Sequence, residues 1–397
     1  MWFLTTHQPS KVITLAPTWI QVEKILWTEI AKCYHKAKVP LGGRLLTTEL
    51  KVDDDWFAMG LSPRIDVDKE AERFQGFHAP YVLVIIDEAA GVVSKLWQAA
   101  KGLILNDNCR LLTIGNPGSP VGDFFNCFKD PLWHKIHIPA SITPNVVTGK
   151  EVIPGLVTRE WIEDRRKDWG ENNPLYISKV DAEFPEEAED ILILLSWVEA
   201  AKNATLEAIG AKGLGVDVAR FGIDWTVLTA IHGPKVLESQ AFQGKDTMET
   251  VGRTIRMMNR YDIPAHSTCI DDVGVGGGVT DRLHEEGHMV QPVNAGARPE
   301  DPGLFFNLSA EMHWVMRKLF ETGNIDIPDN EQLISQLTGR KYSMTSKGQI
   351  KLESKEEMKK RGLKSPDHAD SLALAIHGRK FHAAGEGGPR VTVIECE

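Results

Sequence analysis

Short runs of apolar, largely β-branched residues alternate with amphipathic stretches through the first half of the chain. Tyr81–Ile86 is such a run, and Lys11–Leu15 and Arg110–Ile114 are two others. Between them, Trp19–Lys36 has an apolar residue at every third or fourth position, which is the period of one helix face. Strands that are covered on both faces read as nearly continuous apolar runs. The pattern therefore predicts an α/β fold in which helices cover a parallel sheet.

A different pattern begins near Gly213. Three short strands are predicted at Gly213–Val218, Trp225–Ile231 and Lys235–Phe242, and their close spacing is typical of an antiparallel meander. Helical and strand patterns then alternate as far as a last predicted helix at Asp367–Gly378. The change of pattern indicates a second domain.

Composition excludes several classes of protein. Apolar residues make up 42% and charged residues 25% of the 397 residues, which excludes a disordered chain. No apolar run approaches the roughly 20 residues that cross a bilayer, so no membrane segment is expected. The five cysteines are scattered and form no C-x-x-C pair, which argues against a disulfide framework and a structural zinc site.

Positive charge is concentrated in one segment of an acidic chain. The net charge is -10, yet Ser335–Pro366 carries nine basic and three acidic residues. Contacts to phosphates need such residues, so Lys341, Lys347 and Lys351, on a predicted hairpin, are candidate DNA contacts. The alternative is a solvated hairpin and helix face.

Four aspartates of the second domain are candidate metal ligands. Asp217 lies within a predicted strand, where an ionised side chain is costly unless it is paired or bound to a metal. Asp271 ends another strand, and Asp367 and Asp370 share one face of a helix because they are three residues apart. Converging carboxylates could hold two Mg²⁺ or Mn²⁺ ions about 4 Å apart, a centre that cuts phosphodiesters. The alternative for each aspartate is a helix cap or a turn.

Two further carboxylates, Asp87 and Glu88, follow the strand Tyr81–Ile86. This arrangement is typical of a Walker B motif, in which the aspartate holds Mg²⁺ and the glutamate positions the attacking water. The alternative is that both residues favour the positive end of a following helix. The phosphate-loop motif G-x-x-x-x-G-K-[ST] does not occur in the sequence.

Taken in order along the chain, these segments resemble the large subunit of a tailed-bacteriophage terminase, the motor and nuclease that packages DNA. The resemblance covers nearly the whole chain, and it is carried by the order and spacing of the motifs. The segments that match are Lys11–Thr18 with Gln21 and Val22, Val82–Glu88, Thr113–Pro117, Glu183–Pro185, Asp217, Asp271 with Gly274–Gly276, and Asp367 with Asp370.

The resemblance implies a domain organisation. An incomplete P-loop (ASCE-type) ATPase domain is expected over 1–185, a linker over 186–212, an RNase H-like (RuvC-type) endonuclease domain over 213–381 and a mobile tail over 382–397. In that family the phosphate loop lies upstream of the Lys11 strand. The sequence is therefore expected to be a motor that lacks this loop, and ATP hydrolysis by this chain is not expected.

The resemblance also implies roles for single residues. Asp217 is expected to bridge two Mg²⁺ or Mn²⁺ ions, Asp271 and Asp370 to hold one ion each, and Asp367 to assist. In the first domain, Asp87 and Asn116 are implied at the ATP site, with Glu88 as the catalytic base.

The implied partners are double-stranded DNA, the portal protein of the procapsid, the terminase small subunit and, in a packaging ring, other copies of the chain. The implied location is the host cytoplasm, transiently at the portal vertex, and not the mature virion. Two alternatives remain open at this stage. One is a stand-alone RNase H-like resolvase, which would not need Val82–Glu88. The other is a non-catalytic remnant that docks on a portal.

Overall fold

The structure, a computed structural model, describes residues 1–61, 76–186, 190–219 and 224–382. They divide into two compact units, the first made of Met1–Pro139 with Ala182–Pro185, and the second of Ala140–Asp181 with the residues from Glu186 onward. Apart from His382, the tail predicted over 382–397 lies outside the described residues. In the described part of the chain, no helix is long and apolar enough to cross a membrane.

The described residues of the first unit form a six-stranded sheet in the order β2-β3-β4-β1-β5-β6. Its strands are β1 (Ser10–Leu15), β2 (Arg44–Leu45), β3 (Glu49–Asp53), β4 (Trp56–Leu61), β5 (Tyr81–Ile86) and β6 (Cys109–Thr113). The parallel pairing predicted for β1, β5 and β6 is confirmed. Strands β2 to β4 were not predicted, and β3 pairs antiparallel with both its neighbours. Helices lie at Trp2–Thr6, Trp27–His35, Ser94–Lys101 and Asp123–Lys129.

The second unit contains a five-stranded sheet in the order β11-β10-β7-β8-β9. Its strands are β7 (Lys212–Asp217), β8 (Thr226–His232), β9 (Lys235–Phe242), β10 (Thr268–Asp271) and β11 (Gln291–Val293), and a separate hairpin is formed by β12 (Tyr342–Met344) and β13 (Ile350–Leu352). The predicted antiparallel meander is confirmed in β7, β8 and β9, and β10 runs parallel to β7 and β11. The mixed α/β class is therefore confirmed.

The second unit also contains helices. They lie at Pro144–Thr148, Arg159–Trp169, Leu195–Asn203, Thr247–Tyr261, Gly276–Glu285, Leu308–Glu321, Glu331–Gly339, Lys355–Lys360 and Asp367–His382. Leu195–Asn203 falls within the stretch interpreted as a linker. Its residues Leu195, Val198 and Ala201 are buried in the core of the second unit, because they recur at the spacing of one helix face.

Residues 140–181, which the sequence analysis assigned to the first domain, belong to the second unit. Trp169 and Leu175 are fully buried in its core, together with Leu192 and Ile193. The amide of Asn173 donates to the Ser335 carbonyl at 3.1 Å. This segment therefore forms part of the body that carries the candidate site.

The last helix, Asp367–His382, packs directly on β7. Gly213 and Gly215 make this close approach possible, since a Cβ at either would collide with helix carbonyl groups of Ala375 or Ser371. The Ser371 hydroxyl donates to the Gly215 carbonyl at 3.0 Å. The packing fixes the start of this helix beside Asp217, the last residue of β7.

Candidate metal centre

Three of the four predicted aspartates surround one ammonium group. The Nζ atom of Lys355 lies 2.9 Å from Oδ2 of Asp370, and 3.9 Å both from Oδ2 of Asp217 and from Oδ1 of Asp367. Asp217 ends β7, whereas Asp367 and Asp370 begin the helix packed on it. The sequence prediction that these carboxylates converge agrees with this geometry.

Asp271 lines the same centre from the end of β10. It borders a cavity of about 200 Å³ together with Asp370, Lys355, His313 and Arg340. Its Oδ1 accepts a hydrogen bond from the Val273 amide at 3.2 Å, which holds the carboxylate at the strand end. The neighbouring Asp272 does not line this cavity, as expected from the alternation of side chains along a strand.

Burial makes ionisation of these carboxylates energetically unfavourable. Asp217 is only 4% exposed, and burial, reinforced by the nearby charges of Asp370, Asp367 and Asp271, raises its pKa well above the usual range despite the opposing effect of Lys355. Burial also raises the pKa of Asp271 and of Asp367. A buried cluster of this kind favours a bound cation, because a cation removes the repulsion between the carboxylates.

Asp370 is held differently from the other three. Burial alone would raise its pKa, but the charges of Lys355 and Arg340 outweigh burial and hold the pKa well below its usual range. Arg340 Nη1 donates to Oδ1 of Asp370 at 2.7 Å, and His313 Nε2 lies 3.1 Å from the same oxygen. Both residues are almost fully buried, and the hydrogen bond from Arg340 fixes one carboxylate oxygen while the other contacts Lys355.

Asp367 is positioned through the backbone. Its Oδ2 accepts a hydrogen bond from the Trp225 amide at 2.9 Å. The other oxygen, Oδ1, is the atom nearest Lys355. Each carboxylate of the helix pair thus has one oxygen fixed by the protein and one turned toward the centre.

The donors fit hard divalent cations, since all four are carboxylates, the ligands that Mg²⁺ and Mn²⁺ prefer. Within the described ranges, however, no group of three or more His, Cys, Asp or Glu residues is arranged to hold a metal ion. The Lys355 ammonium lies between the carboxylates and supplies the positive charge. The side chains therefore fit the predicted ions in chemistry, and in this structure Lys355 lies among them as their cation.

In the first unit, Asp87, Glu88 and Asn116 lie where two adjacent parallel strands end. Asp87 follows β5, Asn116 lies beyond β6, and the Ala89 amide bonds to the Ile114 carbonyl at 2.9 Å. Glu88 has a left-handed backbone, with φ of 47°, and no side-chain cap is formed at the three-residue turn that follows. Both carboxylates therefore lie at the N-terminal end of this turn, and Glu88 does not cap it through its side chain.

The three lysines predicted to contact DNA have different surroundings. Lys347 and Lys351 are exposed on the β12–β13 hairpin, where the sequence analysis placed them. Lys351 Nζ lies 5.4 Å from the centre of the Phe306 ring. Lys341 is partly buried, and its Nζ pairs with Asp190 at 2.9 Å.

Sequence reasoning missed several residues of the centre. Lys355 was counted only as part of the basic segment, and Arg340 likewise, while His313 was not considered. One weak sequence signal for Lys355 exists. Ser354 and Glu357 have the spacing of a capping box, which predicts a helix that starts at Lys355. No local pattern marks Arg340 or His313 as partners of Asp370.

No protein-family model matches the chain. The chain is 28% identical over 328 residues to the probable terminase large subunit of Enterobacteria phage P7, and the aligned part covers 77% of this chain and 65% of the relative. The chain thus spans less than two thirds of that relative. The resemblance to terminase large subunits is confirmed by this relative.

Two solved structures also show similarity to part of the chain. The nuclease domain of the large terminase subunit of bacterial virus Sf6 is 20% identical, with a TM-score of 0.41, covering 47% of this chain and 98% of that one. The large terminase nuclease of thermophilic phage G20c with bound magnesium is 17% identical, with a TM-score of 0.37, covering 48% and 98%.

Proposed function

We propose that the chain is a tailed-phage terminase large subunit whose second unit is an RNase H-like, metal-dependent DNA endonuclease that cuts concatemeric DNA during packaging. The observation that carries the proposal is the convergence of buried carboxylates on one cation, Lys355. Structural ion pairs seldom gather this much negative charge in a protein interior, whereas metal-dependent nucleases require it.

Asp217, Asp271, Asp367 and Asp370 would hold two Mg²⁺ or Mn²⁺ ions. Asp217 would bridge them, Asp271 and Asp370 would bind one each, and Asp367 would assist. Bound divalent ions supply the charge that stabilises the attacking and leaving oxygens of a phosphodiester displacement.

The protein orients these ligands before any ion binds. Arg340 holds one oxygen of Asp370, the Val273 amide holds Asp271, and the Trp225 amide holds Asp367. Preorganised ligands need little rearrangement when ions and DNA bind. In this proposal Lys355 leaves the carboxylates when the ions enter and moves toward solvent, to which its side chain is 39% exposed.

The first unit is proposed to be part of a P-loop ATPase domain. Asp87, Glu88 and Asn116 lie at the carboxyl ends of β5 and β6, the edge at which ligands bind in open α/β sheets. The phosphate-loop motif does not occur in the sequence, and the activity assigned by the proposal is the nuclease activity of the second unit.

The partners follow from the proposed role. They are double-stranded DNA, the procapsid portal protein, the terminase small subunit and further copies of the chain in a packaging ring. The proposed place of action is the host cytoplasm, transiently at the portal vertex, and not the mature virion.

Nicking of supercoiled plasmid tests the proposal. We expect Mn²⁺ or Mg²⁺ to support conversion to open-circular and linear forms, and EDTA to stop it. Asp217→Asn should reduce cutting by at least about 100-fold, because it keeps the shape of the side chain and removes a bridging charge. Asp262→Asn is the matched control, since the Asp262 side chain is 99% exposed, and it should cut like the parent. Equal cutting by the Asp217 variant would refute the assignment.

A further inference from the structure

A second and larger cavity of the same unit shares a wall with the metal centre. Its volume is about 890 Å³, within the range of roughly 300–1,000 Å³ that is usual for ligand pockets. Asp367 belongs to both, since it lines this cavity and lies 3.9 Å from Lys355. A DNA strand whose phosphate lies at the centre would therefore have a neighbouring nucleotide at this cavity.

The cavity presents one aromatic side chain and several amides. Trp225 is 40% exposed and immediately precedes β8, and its backbone amide donates to Asp367 at 2.9 Å. The amide side chains that line the cavity are those of Gln243, Asn330, Gln332 and Gln336. An exposed indole beside amide donors and acceptors suits a flat heterocycle, whose face stacks and whose edge forms hydrogen bonds.

A buried polar atom of the wall has no partner. His368 is 6% exposed and lines the cavity, and its Nδ1 forms no hydrogen bond within the described residues. The backbone amide of His368 donates to Oε1 of Gln336 at 2.7 Å, so the position of the residue is fixed. Buried polar atoms are nearly always hydrogen-bonded in native proteins, so a partner for this nitrogen would have to come from outside the described residues.

The charges of the cavity decide which part of a nucleotide fits. Lys364 pairs with Asp168 at 2.6 Å, and Lys359 lies 3.9 Å from Asp224. With Asp367 added, the five charged side chains of the lining sum to -1. A phosphate would be repelled by this lining, whereas an uncharged base would not.

We infer that this cavity receives an unstacked nucleobase of the strand that is cut at the metal centre, with Trp225 as its stacking platform. The inference rests on the proposed nuclease function and specifies its substrate class. Withdrawing a base from a duplex costs free energy, and the cost is least for an unpaired or mismatched base. The preferred substrate is therefore DNA with an unpaired nucleotide next to the scissile phosphate.

Binding measured without cutting tests the inference. The full-length chain, in EDTA, is titrated into two fluorescein-labelled duplexes, one fully paired and one with a single unpaired nucleotide, and anisotropy gives both affinities. The parent protein should prefer the second duplex. Trp225→Ala should reduce that preference by roughly 5- to 150-fold, the range expected for one base–aromatic stack.

Three further variants make the result interpretable. Trp225→Phe should keep most of the preference, and Trp2→Ala, which removes an indole that is 72% exposed in the first unit, should keep all of it. Ala241→Phe adds bulk to the cavity lining from an exposed position on β9 and should abolish the preference without removing any contact.

The two proposals fail in different ways. An unchanged preference in both Trp225→Ala and Ala241→Phe would overturn the base pocket, even if the protein cuts DNA in Mn²⁺. If the protein does not cut DNA in Mn²⁺ but still prefers the duplex with the unpaired nucleotide in EDTA, the proposed nuclease function is wrong and the proposed base pocket is retained.

Discussion

Lys355 is the residue on which the chemistry of the centre depends most. Its ammonium contacts three carboxylates, and Asp370, Asp217 and Asp367 raise its pKa although burial opposes them. The lysine is therefore charged over the whole physiological pH range. A charged lysine and a divalent ion compete for the same oxygens.

Replacing this lysine should tighten metal binding. Lys355→Met keeps an unbranched chain and removes the competing charge, so the affinity for Mn²⁺ should rise by at least about tenfold, or about 1.4 kcal/mol. Isothermal titration calorimetry measures this change. Lys360→Met, at an exposed position of the same helix, is the control and should leave the affinity unchanged. Weaker Mn²⁺ binding by the Lys355 variant would contradict the competition.

At the level of single residues, the sequence predicted the four candidate metal ligands but not the residues that hold them in place. Asp217, Asp271 and the Asp367 and Asp370 pair were recognised because strand ends and helix periodicity are local patterns. Arg340 lies 30 residues from Asp370, and only the packing of two helices brings them together. One detail differs, because Asp217 is the last residue of β7 and not a residue within it.

Among the elements, the β12–β13 hairpin is the candidate DNA contact. Lys347 and Lys351 are exposed on it, and the helix that follows carries Lys355 into the metal centre. DNA held by the hairpin would therefore lie close to the carboxylates. Lys341 differs from the other two, because Asp190 already neutralises it.

Removing the two exposed lysines should weaken DNA binding without regard to sequence. Each phosphate contact contributes roughly 0.9 to the slope of log affinity against log salt, so Lys347→Ala with Lys351→Ala should flatten that slope by up to about two units. Anisotropy titrations at several salt concentrations measure this. The control pair, Lys150→Ala with Lys245→Ala, removes two exposed lysines elsewhere in the unit. An unchanged slope in the hairpin variant would mean that DNA approaches from another side.

Most elements with a long or strongly apolar pattern were predicted, although the apolar strand β4 was not. The meander, the hairpin and the long helices follow from periodicity, whereas β2 has two residues and β3 mixes charged with apolar positions. The helix Glu331–Gly339 was not predicted. It overlaps the basic segment Ser335–Pro366, which was interpreted by its charge and not by its periodicity. Short polar elements depend on tertiary contacts that no local pattern records.

In the whole molecule, the boundary between the units is where sequence and structure differ most. The acidic passage before Asp190 indicated a linker, yet Leu192 and Ile193 are buried and the Leu192 amide bonds to the Arg340 carbonyl at 2.9 Å. Residues 140–181 join the same core. Whether a segment is buried in a core depends on long-range packing, which the composition along the chain does not reveal.

A fragment should fold only if it includes this segment. Residues 140–382 retain Trp169, Leu175, Leu192 and Ile193, whereas 213–382 lacks all four. Each such side chain contributes about 1.5–3 kcal/mol, so their loss approaches the roughly 5–15 kcal/mol that stabilises a domain. Urea denaturation followed by circular dichroism should show a cooperative transition for the longer fragment and none for the shorter one. A cooperative transition in 213–382 would show that the segment is dispensable.

The most direct measurement is the anomalous scattering of crystals of the full chain soaked in Mn²⁺. The proposed function predicts manganese peaks between Asp217, Asp271 and Asp370, with Lys355 Nζ withdrawn from its 2.9 Å contact with Asp370. Crystals of Asp217→Asn should lose these peaks under the same soak. Manganese found only elsewhere on the protein, with Lys355 still in contact with Asp370, would contradict the assignment of this cluster as a metal centre.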